Sequence, residues 1–156
     1  KNGTVKAVFT TQKGTFTIDF NPEEAPLTVD NFVRLARVGY FNGAEVHRVV
    51  ANFVMQDGDP TGTGMGGSDK PDLKAEFSDV SYERGIIGMA RSSNPDSANS
   101  QFFIMFAEGY FLNGQYTVVG KVTDGMDVVD AIKLGKGANG AVLGMPDRMS
   151  KVTVTD

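Results

Sequence analysis

Cysteine is absent from the 156 residues, and histidine occurs once, at position 47. No disulfide framework, thiol nucleophile or thiolate metal site can be built, and an imidazole metal site is reduced to one ligand. Long apolar runs are missing as well: the longest candidate, FFIMF at 102–106, has the length of a core strand, far from the roughly 20 residues that cross a bilayer. Nor is there an excess of positive charge. A net charge of −4 and a pI near 5.0 exclude a protein that works by coating phosphate backbones or anionic membranes. Neither nucleic acid nor a membrane is expected as a partner, and nothing demands more than a soluble monomer. The compartment stays open. The chain opens at Lys1 without an initiator methionine, and residues 1–4 hold no signal core, so either a leader was removed or the chain was trimmed; the cytoplasm is favoured, with an exported or periplasmic form after leader removal as the alternative. The sequon Asn2-Gly3-Thr4 is too short a pattern to predict a glycan.

What is present fits a single domain, residues 1–156. Residues 6–11 and 15–20, rich in Val, Phe, Thr and Ile and separated by Gln12, Lys13 and Gly14, predict a hairpin. A helix follows from Pro26, with Val29, Phe32, Val33 and Ala36 on one face and Gly39 at its stop. Further strands are expected at 46–50, 53–56, 86–89, 101–105, 117–122 and 151–155, and a second helix at 126–134, ended by Gly135. Many short strands, two helices and no βαβ alternation give a mainly β fold. The pattern suggests an antiparallel barrel whose ends the helices cover. Two irregular polar segments, TGTGMGG at 61–67 and SNPDSANS at 93–100 with Ser92 before it, are long enough to be walls of a binding site.

The residues exclude more chemistry than they admit. His47 has no serine in a nucleophile-elbow pattern to serve, and strand alternation sends it to the face opposite Arg48; a packed, hydrogen-bonded structural role is expected. Gly62, Gly64, Gly66 and Gly67 lack the Lys-Ser/Thr ending of a phosphate loop and read as a flexible wall. Asp57 and Asp59, in QDGDP, read as a solvated turn. The aromatics offer more. If Phe53 and Phe103 face the same way with Val54 and Leu112, they form an apolar cup beside Arg48, Gln56 and Gln101, suited to a small hydrophobic ring carrying a peptide group.

Three stretches, HRVVANFVMQDGD, GMARSSNPDSANSQFFI and FLNGQYTVVGKV, resemble the signatures of the cyclophilins, the cyclosporin-binding class of peptidyl-prolyl cis-trans isomerases. The resemblance runs from the opening hairpin to the last strand. It implies a closed eight-stranded antiparallel β-barrel capped by two α-helices, with Arg48 as the catalytic arginine and Gln56 helping to place it. Phe53, Val54, Phe103 and Leu112 resemble the proline pocket, Val54 standing where a methionine is common. Ala90, Arg91 and Gln101 resemble the groups that hold the peptide backbone, Arg91 in a position often held by asparagine. Phe111 replaces a tryptophan and Tyr116 a histidine of many eukaryotic members, a bacterial-like pattern that implies weakened binding of a cyclosporin-type ligand. Ala51-Asn52 stand for Pro-Gly, and Asp57 for a glycine, both in turns. The implied partners are proline-containing peptides and unfolded or flexible protein segments, with no metal and no cofactor. The alternative is a non-catalytic proline-peptide binding module that recruits a partner, with the same pocket and no turnover.

Overall fold

Residues 6–20 alternate polar and apolar side chains, and the burial follows that period: Ala7, Phe9, Phe16, Ile18 and Phe20 point inward. In the computed structural model, which describes residues 5–136, 140–142 and 144–155, they form β1 (Lys6–Thr11) and β2 (Gly14–Phe20). The pair is antiparallel, with Thr11 opposite Gly14, so that Gln12 and Lys13 alone make the turn. Lys1 and the Asn2-Gly3-Thr4 sequon lie outside the described residues.

The remaining strands are β3 (Ala44–Glu45), β4 (Arg48–Val50), β5 (Val54–Asp57), β6 (Ile86–Met89), β7 (Phe102–Met105), β8 (Val118–Asp124) and β9 (Arg148–Thr155). Every pairing is antiparallel, and the nine form one sheet in the order β3-β9-β1-β2-β8-β6-β7-β5-β4. With helices α1 (Pro26–Arg37) and α2 (Met126–Asp130), the architecture is a mainly β half-barrel. The count of eight strands is corrected to nine: Ala44–Glu45 forms a short strand of its own before the expected segment at 46–50, which starts only at Arg48. At Val46 and His47 the backbone bonds elsewhere: Val46 N–H donates to Asp147 O (2.8 Å) and His47 O accepts from Val142 N–H (3.0 Å).

Helix α1 starts at Pro26 and stops at Gly39, whose φ of 80° takes the left-handed region. Its first turn has no cap of its own. The Glu76 carboxylate supplies one from a distance, accepting from the N–H groups of Leu27 (3.1 Å) and Thr28 (2.7 Å) and from Thr28 Oγ1 (2.7 Å). The buried face is Thr28, Val29, Phe32, Leu35 and Ala36, while Val33 is only half-buried, and it lies against β9. Helix α2 is shorter than its apolar stripe predicts and ends at Asp130. Three-residue bonds from Ala131 N–H to Val128 O and Ile132 N–H to Val129 O tighten it, and Lys133 N–H turns to the Asp147 carboxylate at 2.7 Å.

Phenylalanine rings meet one another in the interior. Phe32 meets Phe41 at 4.7 Å between ring centres and Phe102 at 5.1 Å, and Phe9 stacks on Phe16 at 5.0 Å, a packing that exceeds area burial by about 0.5–1.5 kcal/mol per pair. A second, smaller cluster lies on the other side of the sheet: Val54, Tyr82, Phe103, Met105, Leu112 and Val118. Strand β7 is therefore apolar on both faces. Phe102 and Ile104 fill the inner core, and Phe103 and Met105 the outer cluster.

The QDGDP turn is not solvated. Asp57 and Asp59 are both 0 % exposed. Asp57 ends β5 opposite Phe102, and its Oδ1 accepts from Gly58 N–H (2.5 Å) while Oδ2 has no partner among the described residues. Burial raises its pKa well above the ordinary 3.8, against the lowering effect of the Gly58 bond. The folded protein thus holds a proton that the unfolded chain releases above about pH 4, and stability falls as pH rises beyond that point. Asp57→Asn keeps the Gly58 bond and removes the titration. Its melting temperature should exceed that of the wild type by several degrees at pH 7, with the gap closing toward pH 4; a gap independent of pH would contradict the protonated state. Phe102→Ala, at the meeting point of the inner rings, should cost about 3–5 kcal/mol in urea unfolding.

Candidate active site

Strands β4, β5 and β7 carry the site in one row across the sheet. Arg48 stands opposite Gln56, and Gln56 opposite Phe103, so the three side chains share the outer face by register alone. The row continues to Gly88 on β6. A Cβ at Gly88 would run into the ring of Phe103 and the hydroxyl end of Tyr82, so only glycine lets those rings approach the sheet this closely.

The outer cluster builds the apolar floor. Tyr82 is fully buried and stacks on Phe103 with centroids 5.7 Å apart. Its hydroxyl donates to Tyr116 O at 2.7 Å, and burial raises its pKa, so it stays a neutral donor. Tyr116 meets Phe103 edge-on at 5.8 Å, and Leu112, from the 3-10 turn Tyr110–Leu112, closes the side. Phe103, Leu112 and Tyr116, together with Phe53, Val54, Ala90, Arg91, Met65 and Gly64, line an open cleft of about 410 Å³ with Arg48, Gln56 and His47 on its wall, and Tyr82 supports it from beneath.

The polar side is a chain of side-chain hydrogen bonds. Arg48 Nη1 donates to Gln56 Oε1 (3.1 Å), Gln56 Nε2 to Gln101 Oε1 (2.9 Å), and Gln101 Nε2 to the carbonyls of Gly64 (3.0 Å) and Gly66 (2.9 Å). Glu45, the acid three residues before Arg48, is engaged by Arg148 at 2.6 Å. Gln101 also faces an adjoining cavity lined by Gly66, Ala90, Arg91, Ser97 and Asn99. The structure thus brings together Arg48, Phe53, Val54, Gln56, Ala90, Arg91, Phe103, Leu112 and Tyr116 around one cleft, with Gln101 behind it. Phe111 stands on the rim. It is 73 % exposed and stacks on Phe53 at 5.8 Å. The Arg91 side chain turns along the surface, its Nε and Nη2 donating to Gln115 O (3.0 and 2.8 Å) and its guanidinium lying 4.5 Å over the Tyr116 ring.

His47 departs from expectation. It belongs to no strand, so alternation does not turn it away from Arg48; it lies buried against Gly64 and shares the cleft wall. Neither ring nitrogen has a hydrogen-bond partner among the described residues, and burial lowers its pKa, which leaves it a neutral packing element. The glycine segment is likewise no loose wall, because the Asp59 carboxylate binds it from within. Sequence reasoning missed Tyr82 and the buried role of Asp59. Tyr82 precedes β6 in a stretch without periodicity, but the Asp-x-Thr-x-Thr spacing of Asp59, Thr61 and Thr63 is a turn signal that points to the second. No cluster of three or more potential metal-ligating side chains occurs among the described residues.

Residues 6–154 match the model of the family described as cyclophilin type peptidyl-prolyl cis-trans isomerase/CLD. A probable peptidyl-prolyl cis-trans isomerase of Brucella abortus (strain 2308) is 48 % identical over 152 residues, spanning 90 % of this chain and 78 % of the relative. A peptidyl-prolyl cis-trans isomerase of Helicobacter pylori (strain J99) is 41 % identical over 136 residues, 85 % and 83 % of the two chains. Among solved structures, a cyclophilin type isomerase of Cryptosporidium parvum superposes with a TM-score of 0.89 at 26 % identity over 97 % of both chains. A second structure of that protein, determined in the presence of the dipeptide Ala-Pro, gives 0.87 at 26 % identity, covering 97 % of this chain and 99 % of the other. The match over nearly the whole chain agrees with the half-barrel, and the chain belongs to the cyclophilin-type peptidyl-prolyl cis-trans isomerases.

Proposed function

We propose that Arg48 is the catalytic group of this isomerase and that the outer cluster holds the proline ring. Rotation about a peptide bond meets a barrier of about 18–20 kcal/mol because amide resonance is lost, and an X-Pro bond left alone takes roughly tens to hundreds of seconds. No bond has to be made or cut. At the twisted midpoint the proline nitrogen regains its lone pair and accepts a hydrogen bond that neither planar isomer can accept, so a guanidinium aimed there binds the midpoint better than either ground state. The apolar cup of Phe53, Val54, Phe103 and Leu112 anchors the ring while the preceding carbonyl swings, and it excludes water that favours the more polar planar amide. Ala90, Arg91 and Gln101 hold the peptide on either side, with Phe111 and Tyr116 at the rim.

One observation carries this reading: the Arg48 guanidinium, held by Gln56 at 3.1 Å, stands at the edge of an apolar cleft. The Ala-Pro dipeptide present with the Cryptosporidium relative supports a proline-containing peptide as the ligand. Its clients on this reading are unfolded or flexible segments whose folding waits on proline. The same reading takes the sheet as a closed barrel: β3 and β4 stand at opposite ends of the strand order yet are consecutive in the chain, with Val46 and His47 between them, and such a link draws the two edges together.

The test is cis/trans exchange of an Ala-Pro peptide, by NMR or a coupled protease. Arg48→Ala should lower kcat/KM by about 10²–10³ with the fold intact; turnover near the wild-type level would refute the assignment and leave the chain a peptide binder. Arg48→Lys should lose at least about tenfold, because a compact ammonium lacks the planar fork. Cyclosporin should inhibit weakly, since Phe111 is exposed and offers no N–H. Phe111→Trp should tighten that inhibition by about tenfold or more, the worth of one added hydrogen bond and the larger ring; an unchanged inhibition constant would remove Phe111 from the ligand's footprint.

A further inference from the structure

The Asp59 carboxylate has no cationic partner in any of the ion pairs among the described residues, although it is fully buried. Its partners are the N–H and O–H groups of one short segment. Oδ1 accepts from Thr61 N–H and Thr61 Oγ1, both at 2.8 Å. Oδ2 accepts from the N–H groups of Gly64 (2.6 Å), Gly66 (3.0 Å) and Thr63 (3.1 Å), and from Thr63 Oγ1 (3.3 Å). Burial pushes its pKa up, but the bonds from Gly66, Thr61 and Gly64 together outweigh it and hold the group below the ordinary aspartate value. The charge is therefore present throughout the working pH range.

The bonds to the N–H groups of Thr61, Thr63, Gly64 and Gly66 hold the backbone of this segment, and with it the places of its carbonyls. Those of Gly64 and Gly66 both accept from Gln101 Nε2. That fixes which way round the Gln101 amide lies, because the flipped amide would set an oxygen against two carbonyls. Its Oε1 must then face Gln56, whose amide is fixed in turn by the same rule, and Gln56 Oε1 meets the Arg48 guanidinium. Polarity is handed along from the Gly64 and Gly66 carbonyls to the group at the mouth of the cleft, and the buried carboxylate anchors the two glycines from which it starts.

We infer that Asp59 is a positioning residue for the isomerisation, holding the 61–67 segment in the shape that orients Gln101, Gln56 and finally Arg48. This rests on the assignment of Arg48 as the catalytic group. It also accounts for the glycine-threonine alternation, because small residues let six donors converge on one carboxylate, and a Cβ at Gly66 would strike Asp59 Oδ1 and Thr61 Oγ1. The proline pocket stands on a different set, the outer cluster of Tyr82, Phe103 and Leu112, whereas Gln101 and the cleft-lining Gly64 and Met65 touch only the peptide's flank, so disturbing Asp59 should injure turnover more than binding.

Asp59→Asn replaces one acceptor oxygen by a donor that faces N–H groups. With Ala-Pro exchange as the readout, kcat should fall about tenfold while KM stays within about twofold. In a Gln101→Ala background the same substitution should cost less than about twofold more, because the route is already cut. The Gln101 side-chain amide protons, followed by NMR, should exchange with water faster in Asp59→Asn than in the wild type. A folded Asp59→Asn with wild-type kcat, or a full tenfold loss in the Gln101→Ala background, would overturn the inference. Gly66→Ala, which opens the same knot from a half-buried position, should give the same signature, and it decides the matter alone if Asp59→Asn does not fold. Arg48→Ala runs alongside: if it keeps turnover, the catalytic assignment fails, while the Gln101 amide signal still reports whether Asp59 governs Gln101.

Discussion

Neighbouring residues of one strand must point to opposite sides of the sheet, and in β7 both sides are apolar: Phe102 enters the inner core and Phe103 the outer cluster. A sheet that is greasy on both faces needs cover on both. Helix α1 and the aromatic interior supply the first cover. Tyr82 and Leu112, from outside the strands, supply the second, but only over part of the outer face. Toward β4, the last strand in the order, that layer gives way, and the uncovered ground between Phe103 and Arg48 is the cleft. The site is the place where the second layer ends.

Such a cleft suits a reaction with no nucleophile. Stabilising a twisted amide asks for a charge that is already aimed when the bond passes its midpoint. An arginine in water has too many rotamers for that. Here the register sets Arg48 opposite Gln56, a hydrogen bond fixes one arm of the guanidinium, and the bonds beyond fix the glutamine. Gln56 and Gln101 are neutral amides, so the bonds they supply orient the cation without adding a negative charge beside it.

What the sequence made legible follows from how local its physics is. The first hairpin and α1 were readable because period two and period 3.6 are properties of short segments, and the three motifs were readable because their residues lie close together in the chain. The Phe102/Phe103 division was available only as a conditional, since alternation says that the two point apart but not which way. What stayed hidden depends on distant partners. The break between β3 and β4 is made by backbone bonds to residues 142 and 147, the early end of α2 by Asp147, and the N-terminal cap of α1 by Glu76, about fifty places along the chain. His47 was assigned a face by alternation and lost it because its stretch of chain is not a strand. The two aspartates of QDGDP were read as surface residues because composition sees a polar turn and cannot see that both are covered.

Those aspartates, two residues apart and equally buried, end in opposite protonation states. Asp57 closes a strand whose backbone donors are committed to the ladder with β7, so its carboxyl finds one N–H, from Gly58, and burial prevails: it keeps its proton. Asp59 enters an irregular segment whose N–H groups have no ladder to join, and several of them, with two threonine hydroxyls, turn to it. There hydrogen bonding prevails and the charge persists. Secondary structure decides which acid is ionised, by deciding where free donors remain. A polar loop lying against the mouth of a cleft can thus be as firm as a strand, provided that an anion sits at its centre.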